Sequence, residues 1–109
     1  MSKAAGPLVR PRTRKKRKTR RIPPYNVILL NDDDHSMEFV IEVLVKVFGY
    51  PLEKCVQLMF EAHETGRAVI WTGPKEVAEL KQEQVRTFSE KRPGRDLGPL
   101  GCEIEPAPG

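Results

Sequence analysis

The chain has 109 residues, of which 31% are charged and 39% are hydrophobic, and its formal net charge is +4. A chain of this length forms one small domain at most. No apolar run approaches the roughly 20 residues that a membrane span needs, so the sequence predicts neither a second domain in this chain nor a transmembrane helix.

Positive charge is concentrated at the start of the chain. Residues 1–21 hold ten of the nineteen Lys and Arg and no acidic residue, whereas residues 22–109 hold the other nine and all fifteen Asp and Glu, a net charge of −6. Because this start lacks apolar periodicity, we expect residues 1–22 to be a disordered basic tail and residues 23–109 to form the folded domain. Binding of nucleic acid or of a ribosome through this tail is the alternative function, since a basic segment binds phosphate backbones without sequence specificity.

The two cysteines predict a reducing compartment. Cys55 and Cys102 are far apart and do not form a CxxC motif, so we expect two buried thiols rather than a disulfide. No apolar segment of a secretory signal follows the basic start. The expected location is therefore the cytoplasm.

A strand and a helix are predicted first. Residues 25–30 are rich in β-branched and aromatic side chains, which favours a strand. Residues 31–34 have turn composition, and Ser36 can cap the N-terminus of the helix that follows. Gly49 is expected to end that helix. Its apolar residues recur at helical spacing: Phe39, Val40, Val43, Leu44 and Val47.

A second helix is predicted from Pro51 to Gly66, because Pro suits the start of a helix and Gly its end. The apolar face of this helix is expected to consist of Cys55, Val56, Leu58, Met59 and Ala62. Residues 68–71 predict a second strand, which Gly73-Pro74 interrupts.

A third helix follows Pro74, then a loop at residues 91–99 and a last short strand at residues 100–104. The stripe of the third helix is predicted to be Val77, Leu80, Gln84, Val85 and Phe88. The resulting order, β-α-α-β-α-β, predicts an α+β fold: a small sandwich in which three helices cover one face of a three-stranded, mostly antiparallel sheet.

The acidic turn after the first strand is the first candidate site. The adjacent carboxylates of Asp32, Asp33 and Asp34 cannot enter an apolar core without a large desolvation cost, so they must lie at an exposed strand end. The turn lacks the alternating ligands and the glycine of an EF-hand loop, and no metal is expected there. An Asp beside Asn31 can instead hold an ammonium group, since both side chains offer oxygen acceptors.

The second predicted helix supplies the opposite side of this site. Met59 and His63 lie four residues apart and therefore share one helix face. An acidic, amide-bearing turn opposite this face predicts a polar-rimmed apolar pocket for a ligand with one positive charge and one apolar group. A zinc site or a small hydrolase that uses Cys55 with His63 is less well supported, because eight residues of helix separate the two by about 12 Å.

Taken together in order, these motifs resemble the ClpS adaptors of bacterial Clp proteolysis, from about Tyr25 to Pro106. The resemblance rests on YNVILLNDD at residues 25–33, MEFVIEVL at 37–44, QLM at 57–59 with His63, GRA at 66–68, EVAE at 76–79 with Lys81, and LGCEIE at 100–105. It implies an adaptor and not an enzyme, with no cofactor and no metal. Such an adaptor binds a bulky N-terminal residue (Leu, Phe, Tyr or Trp) of a substrate protein and delivers the substrate to a AAA+ unfoldase, ClpA or ClpC, for degradation by ClpP.

The resemblance also implies roles for individual residues. The substrate's α-amino group would be bound by Asn31, Asp32 and His63. The turn and the peptide backbone would involve Asp33, Asp34 and His35. The hydrophobic pocket would consist of Met37, Val40, Met59 and Ala62, and the unfoldase would dock at Glu76 and Lys81. Two positions depart from the family pattern: His35 stands where a small hydroxyl residue is usual, and Ala62 where Val is common.

Overall fold

The computed structural model describes residues 22–108, so the predicted basic tail, apart from Ile22, lies outside the described residues. The elements are β1 (Tyr25–Leu30), α1 (Met37–Phe48), α2 (Leu52–Thr65), β2 (Arg67–Gly73), α3 (Lys75–Arg86), β3 (Glu90–Arg92), β4 (Arg95–Gly98) and β5 (Cys102–Pro106). No helix within residues 22–108 has both the length and the apolar character that crossing a bilayer demands.

β1 is the central strand of a three-stranded sheet with the order β2-β1-β5. Both neighbours run antiparallel to it, and Leu29 lies opposite Ala68 on one side and Cys102 on the other. A bulge between Val27 and Ile28 shifts the register with β2. The predicted α+β class with an antiparallel sheet is confirmed.

The three helices bury one face of this sheet. α2 packs on β2, α3 packs on all three strands, and α1 contacts the other two helices. The core between them is formed by Val27, Leu29, Val43, Leu44, Val47, Cys55, Ala62, Ala68, Ile70, Ala78, Val85, Leu100 and Cys102. The apolar spacing of α1 and α2 is responsible for this arrangement, because it places one continuous stripe of each helix in this core.

The predicted helix ends are confirmed for α1 and α2. The Oγ of Ser36 accepts a hydrogen bond from the Phe39 N–H at 3.1 Å and caps α1. Gly49 and Gly66 end the two helices with φ angles of 69° and 94°, a left-handed conformation that favours glycine. The end of α2 at Gly66 lies beside the turn after β1, since the Asn31 N–H donates to the Gly66 carbonyl.

The predicted buried stripe of α3 is wrong in part. Val77 and Leu80 are 36% and 51% exposed, whereas Ala78 and Val85 are buried. Ala78 and Val85 lie two helical turns apart on one face, and the small Ala78 lets the helix approach the sheet closely. The larger residues therefore remain at the surface, beside the charged residues of the helix.

The predicted loop at residues 91–99 is instead largely a β-hairpin. β3 pairs antiparallel with β4, and Arg92 lies opposite Arg95 across a Pro93-Gly94 turn. Gly94 has a φ of 76°, which matches the third position of a type II turn that follows Pro. The strands are short and highly charged, so no apolar alternation distinguishes them from a loop. The last strand also begins later than predicted, at Cys102, and Leu100 is a buried residue before it.

Candidate functional site

A cavity of about 190 Å³ opens at the carboxyl end of β1, where the acidic turn meets α1 and α2. Its apolar lining consists of Leu29, Leu30, Met37, Val40, Met59, Ala62 and Leu100. Its polar lining consists of Asn31, Asp32, Asp33, His35 and His63. One cavity therefore combines an apolar interior surface with hydrogen-bonding groups and charges.

Backbone hydrogen bonds bring the end of β1 next to the end of α2. The Asn31 N–H donates to the Gly66 carbonyl at 3.0 Å, and the Leu30 N–H donates to the Gly101 carbonyl at 3.0 Å. Because His63 lies in the last turn of α2, just before Gly66, this contact brings His63 and Asn31 to the same side of the cavity.

The carboxylate of Asp32 organises the acidic turn. Its Oδ1 accepts hydrogen bonds from the Asp34 N–H at 2.9 Å and the His35 N–H at 2.8 Å, and its Oδ2 accepts one from His35 Nδ1–H at 2.7 Å. Burial alone would raise the pKa of Asp32, but these hydrogen bonds and the nearby His35 charge outweigh it and lower the pKa below 3.8. Asp32 is therefore ionised at neutral pH.

A carboxylate has about four lone-pair positions for hydrogen bonds. Three contacts within the chain already use both lone pairs of Oδ1 and one of Oδ2. One position on Oδ2 is left, and the side chain is 32% exposed. Asp32 can thus accept one further hydrogen bond, and its negative charge favours a cationic donor.

The side chain of His35 is 6% exposed and connects the acidic turn to the hairpin. Its Nε2–H donates to the Gly98 carbonyl at 2.8 Å, and its ring stacks on Phe39 with 5.4 Å between centroids. Burial alone would lower the pKa of His35, but the hydrogen bonds to Gly98 and Asp32 and the charges of Asp32 and Glu90 raise it above 6.5.

The remaining polar side chains of the cavity are available to a ligand. Asn31, Asp33 and His63 are exposed and line the cavity. Within residues 22–108, none of these three side chains takes part in a hydrogen bond with the protein. An amide, a carboxylate and an imidazole can therefore act on a bound group without first breaking an internal contact.

The structure brings together every residue predicted to bind the α-amino group and every predicted pocket residue. Asp33 and His35 line the same cavity, whereas Asp34 is exposed outside the lining and contributes its backbone N–H to Asp32. Sequence reasoning missed Leu29, Leu30 and Leu100. The position of the first two at the end of β1, next to the turn, was a usable signal, but Leu100 reaches the cavity through a long-range contact, the pairing of β5 with β1 in which the Leu30 N–H donates to the Gly101 carbonyl.

Cys55 is not part of the lining of this cavity. Cys55 is fully buried, and its Sγ lies 3.7 Å from the Tyr50 carbonyl. Burial raises the pKa of the Cys55 thiol, which makes it a weaker nucleophile at neutral pH. Among residues 22–108, no three His, Cys, Asp or Glu side chains come together as a metal site. The part of the chain that the structure describes therefore gives no support to the zinc and hydrolase alternatives.

The two predicted docking residues lie on α3, away from the cavity. Glu76 is exposed in the first turn of the helix. Lys81 is half-buried, and its Nζ donates to the Val47 carbonyl at the end of α1 at 3.0 Å. Since five residues correspond to about 140° around a helix, the two side chains point in different directions. Lys81 has a structural contact that Glu76 lacks.

Comparisons with known proteins agree on one family. The family model for the ATP-dependent Clp protease adaptor protein ClpS matches residues 20–103. The Clp protease adapter protein ClpS of Pectobacterium carotovorum is 42% identical over 97 residues, which cover 87% of this chain and 88% of that protein. The protein of the same name from Salmonella arizonae is 44% identical over 87 residues, 78% of each chain.

A solved structure gives the same result. Agrobacterium tumefaciens ClpS2 bound to L-phenylalaninamide superposes with a TM-score of 0.68 and 35% sequence identity, and the match covers 80% of this chain and 100% of that one. Sequence and structure thus agree over the domain that contains the cavity. The chain belongs to the ClpS family of ATP-dependent Clp protease adaptor proteins.

Proposed function

We propose that this chain binds the free N-terminal residue of a substrate protein when that residue is Leu, Phe, Tyr or Trp, and delivers the substrate to a AAA+ Clp unfoldase of the ClpA or ClpC type for degradation by ClpP. The chain acts by binding, without chemical turnover, and needs no cofactor. The observation that carries this proposal is the cavity itself, in which acceptors for a cation adjoin apolar walls.

The acceptors match an ammonium group in number. A protonated α-amino group has three N–H donors, and the cavity offers the free position on Asp32 Oδ2, the Asn31 side-chain oxygen and a ring nitrogen of His63. A free α-amino group is largely cationic near neutral pH, because its reference pKa is about 7.7–8.0. Asp32 supplies the opposite charge.

The apolar part of the cavity matches a bulky side chain. A cavity of about 150 Å³ is large enough for benzene, so the 190 Å³ here can hold a phenyl or isobutyl group. Burial of a Leu or Phe side chain is worth about 1.5–3 kcal/mol before the costs of binding. The relative from Agrobacterium was solved with L-phenylalaninamide, a ligand that combines a free amine with a benzyl group.

A peptide with a free N-terminal Phe should bind, whereas the same peptide with an acetylated N-terminus should not bind measurably. Acetylation removes the positive charge and two of the three N–H donors, which leaves the Asp32 carboxylate without a partner in the pocket. Fluorescence anisotropy with the two labelled peptides measures the difference. A peptide that begins with free Gly is the control for the apolar pocket, and equal affinity of the free and acetylated Phe peptides would refute the proposal.

The exposed start of α3 is proposed to contact the unfoldase. Glu76→Gln should weaken binding of the adaptor to the unfoldase by at least about fivefold, the effect of about 1 kcal/mol, while the affinity for an N-terminal Phe peptide stays the same. Glu53→Gln is a matched control, because Glu53 occupies the same first-turn position in α2.

Lys81 needs a different readout, since its contact with the Val47 carbonyl also contributes to the fold. Lys81→Gln is informative only together with a thermal unfolding measurement. An unfoldase affinity that is the same for Glu76→Gln, Glu53→Gln and the unmodified protein would rule out docking at this end of α3.

A further inference from the structure

Both ring nitrogens of His35 face oxygen acceptors. Nδ1 lies 2.7 Å from Asp32 Oδ2 and Nε2 lies 2.8 Å from the Gly98 carbonyl. A carbonyl oxygen can only accept, and an ionised carboxylate can only accept. A neutral imidazole has one N–H, so it could satisfy one of these contacts and would place a lone pair against the other oxygen. The two distances together fit the doubly protonated ring and not a neutral one.

The surroundings of the ring favour this cation. Asp32 faces it from the acidic turn and Glu90 from β3, while the third polar contact is the Gly98 carbonyl of β4. The Glu90 side chain is 12% exposed and also accepts a hydrogen bond from the Ser36 N–H at 2.9 Å. Its own countercharge, Arg92, lies 3.3 Å away on the more exposed side. Across the cavity, Asp33 and His63 are the other charged or titratable groups of the lining.

The hairpin is attached to the cavity through these two contacts. His35 Nε2–H binds the end of β4, and Glu90 at the start of β3 binds the backbone beside His35. Leu100, which lines the cavity, follows Gly98 by two residues. The contact between His35 and Gly98 therefore helps to fix this part of the wall, which is also held by the hydrogen bond from the Leu30 N–H to the Gly101 carbonyl.

We propose that His35 is a positioning residue for ligand binding: as an imidazolium it orients the Asp32 carboxylate toward the ligand's amine and fixes the β3–β4 hairpin against the apolar wall of the cavity. This inference rests on the proposed function of the cavity. When the ring loses its second proton, the remaining N–H pairs with the carboxylate, the stronger acceptor, and the contact with Gly98 is lost. Both the wall and the hairpin are then less well fixed.

The protonation state can be measured without any ligand. The protein has two histidines, so a ¹H–¹⁵N spectrum of the imidazole rings can be assigned with a His63→Gln variant. We expect the midpoint of the His35 titration to lie above the ordinary pKa of 6.5. Below that midpoint, both nitrogens of the ring should be protonated. The Gly98 and Leu100 amide signals should follow the same titration. A midpoint at or below 6.5 would overturn the inference. A ring with only one protonated nitrogen at a pH below the midpoint would overturn it as well.

Glu90→Gln provides a second variant that keeps the hairpin contact. The Gln side-chain oxygen can still accept from the Ser36 N–H, but the negative charge near the ring is gone. The midpoint of His35 should therefore move to lower pH, and an unchanged midpoint would show that Glu90 does not act on this ring.

The role in binding is tested with His35→Gln and an N-terminal Phe peptide. At a pH below the His35 midpoint, the variant should bind about tenfold more weakly, as expected for one lost charge-assisted hydrogen bond. The ratio of the two affinities should become smaller as the pH rises through that midpoint, because the neutral ring keeps its contact with Asp32 but loses the one with Gly98. Titration of the peptide's amine affects both proteins equally and cancels in the ratio.

The possible failures are distinguishable. If the unmodified protein does not bind the peptide at any pH, the proposed function is wrong, while the ring spectra still decide the state of His35. If the peptide binds and the ratio is one at every pH, His35 does not position the ligand site. If His35→Gln does not fold, the same comparison is made with Glu90→Gln. Its affinity should fall below that of the unmodified protein at pH values between the His35 midpoint of the variant and the His35 midpoint of the unmodified protein.

Discussion

Asp32→Asn is expected to weaken binding of a peptide with a free N-terminal Phe by about thirtyfold, equivalent to about 2 kcal/mol. The ligand's ammonium would lose its countercharge in the cavity. The Asn side-chain oxygen can still accept the hydrogen bonds from the Asp34 and His35 N–H groups that Asp32 Oδ1 accepts, but the amide nitrogen that replaces Oδ2 cannot accept from His35 Nδ1–H. The expected loss lies at the lower end of the range for buried charge pairs because the Asp32 side chain is 32% exposed. Isothermal titration calorimetry measures the change.

Asp34→Asn is the matched control for this prediction. It removes the same charge from the same turn, but Asp34 is exposed and outside the cavity lining, so solvent screens its effect on the ligand. We expect less than about a threefold change in affinity. Equal losses for both variants would mean that the ligand responds to the general negative field of the turn and not to a contact with Asp32.

The pH dependence of stability follows from the two shifted groups of the turn. Since the pKa of Asp32 is lowered, its contribution to the free energy of unfolding is complete above pH 3.8 and is lost as the pH falls through the folded-state pKa. Since the pKa of His35 is raised, its contribution is complete below pH 6.5 and is lost as the pH rises through the raised pKa. The contact between the two side chains is therefore strongest between these limits.

The order of the main elements and most of the cavity could be predicted from the sequence, because local patterns determine them. The apolar spacing of α1 and α2, the cap at Ser36 and the glycines at the two helix ends are all confirmed. Three consecutive carboxylates must be at the surface, which placed the acidic turn at the end of β1. The cavity follows from these local features and from the pairing of β1 with β2.

The hairpin and the role of His35 could not be predicted in this way. β3 and β4 are held together by backbone pairing between charged residues, so their sequence has the composition of a loop. The contact between His35 and Gly98 joins residues 63 positions apart, and nothing near either residue indicates it. The prediction of the buried face of α3 was wrong for a related reason. Close packing of this helix on the sheet buries Ala78 and Val85, and the hydrophobicity of the side chains alone does not reveal this.

Ala62→Leu is expected to weaken binding of a peptide with N-terminal Trp or Phe by at least about tenfold, because the larger side chain occupies space that the aromatic ring would fill. Ala62 is 3% exposed and lines the cavity from α2, so the added carbon atoms have the cavity as their nearest free volume. A peptide with N-terminal Leu should lose less affinity, since its side chain is smaller. The measured quantity is the ratio of the Phe and Leu affinities.

The ratio separates a change in the pocket from damage to the amine site. Both peptides have the same α-amino group, so a disturbance of Asn31, Asp32 or His63 would weaken both equally and leave the ratio unchanged. Ala62→Val should give an intermediate ratio, and thermal unfolding of each variant shows whether overpacking of the core has cost more than the expected 1–3 kcal/mol. An unchanged ratio in a folded Ala62→Leu protein would mean that the ligand's side chain does not enter this cavity, since nothing else in the substitution distinguishes the two peptides.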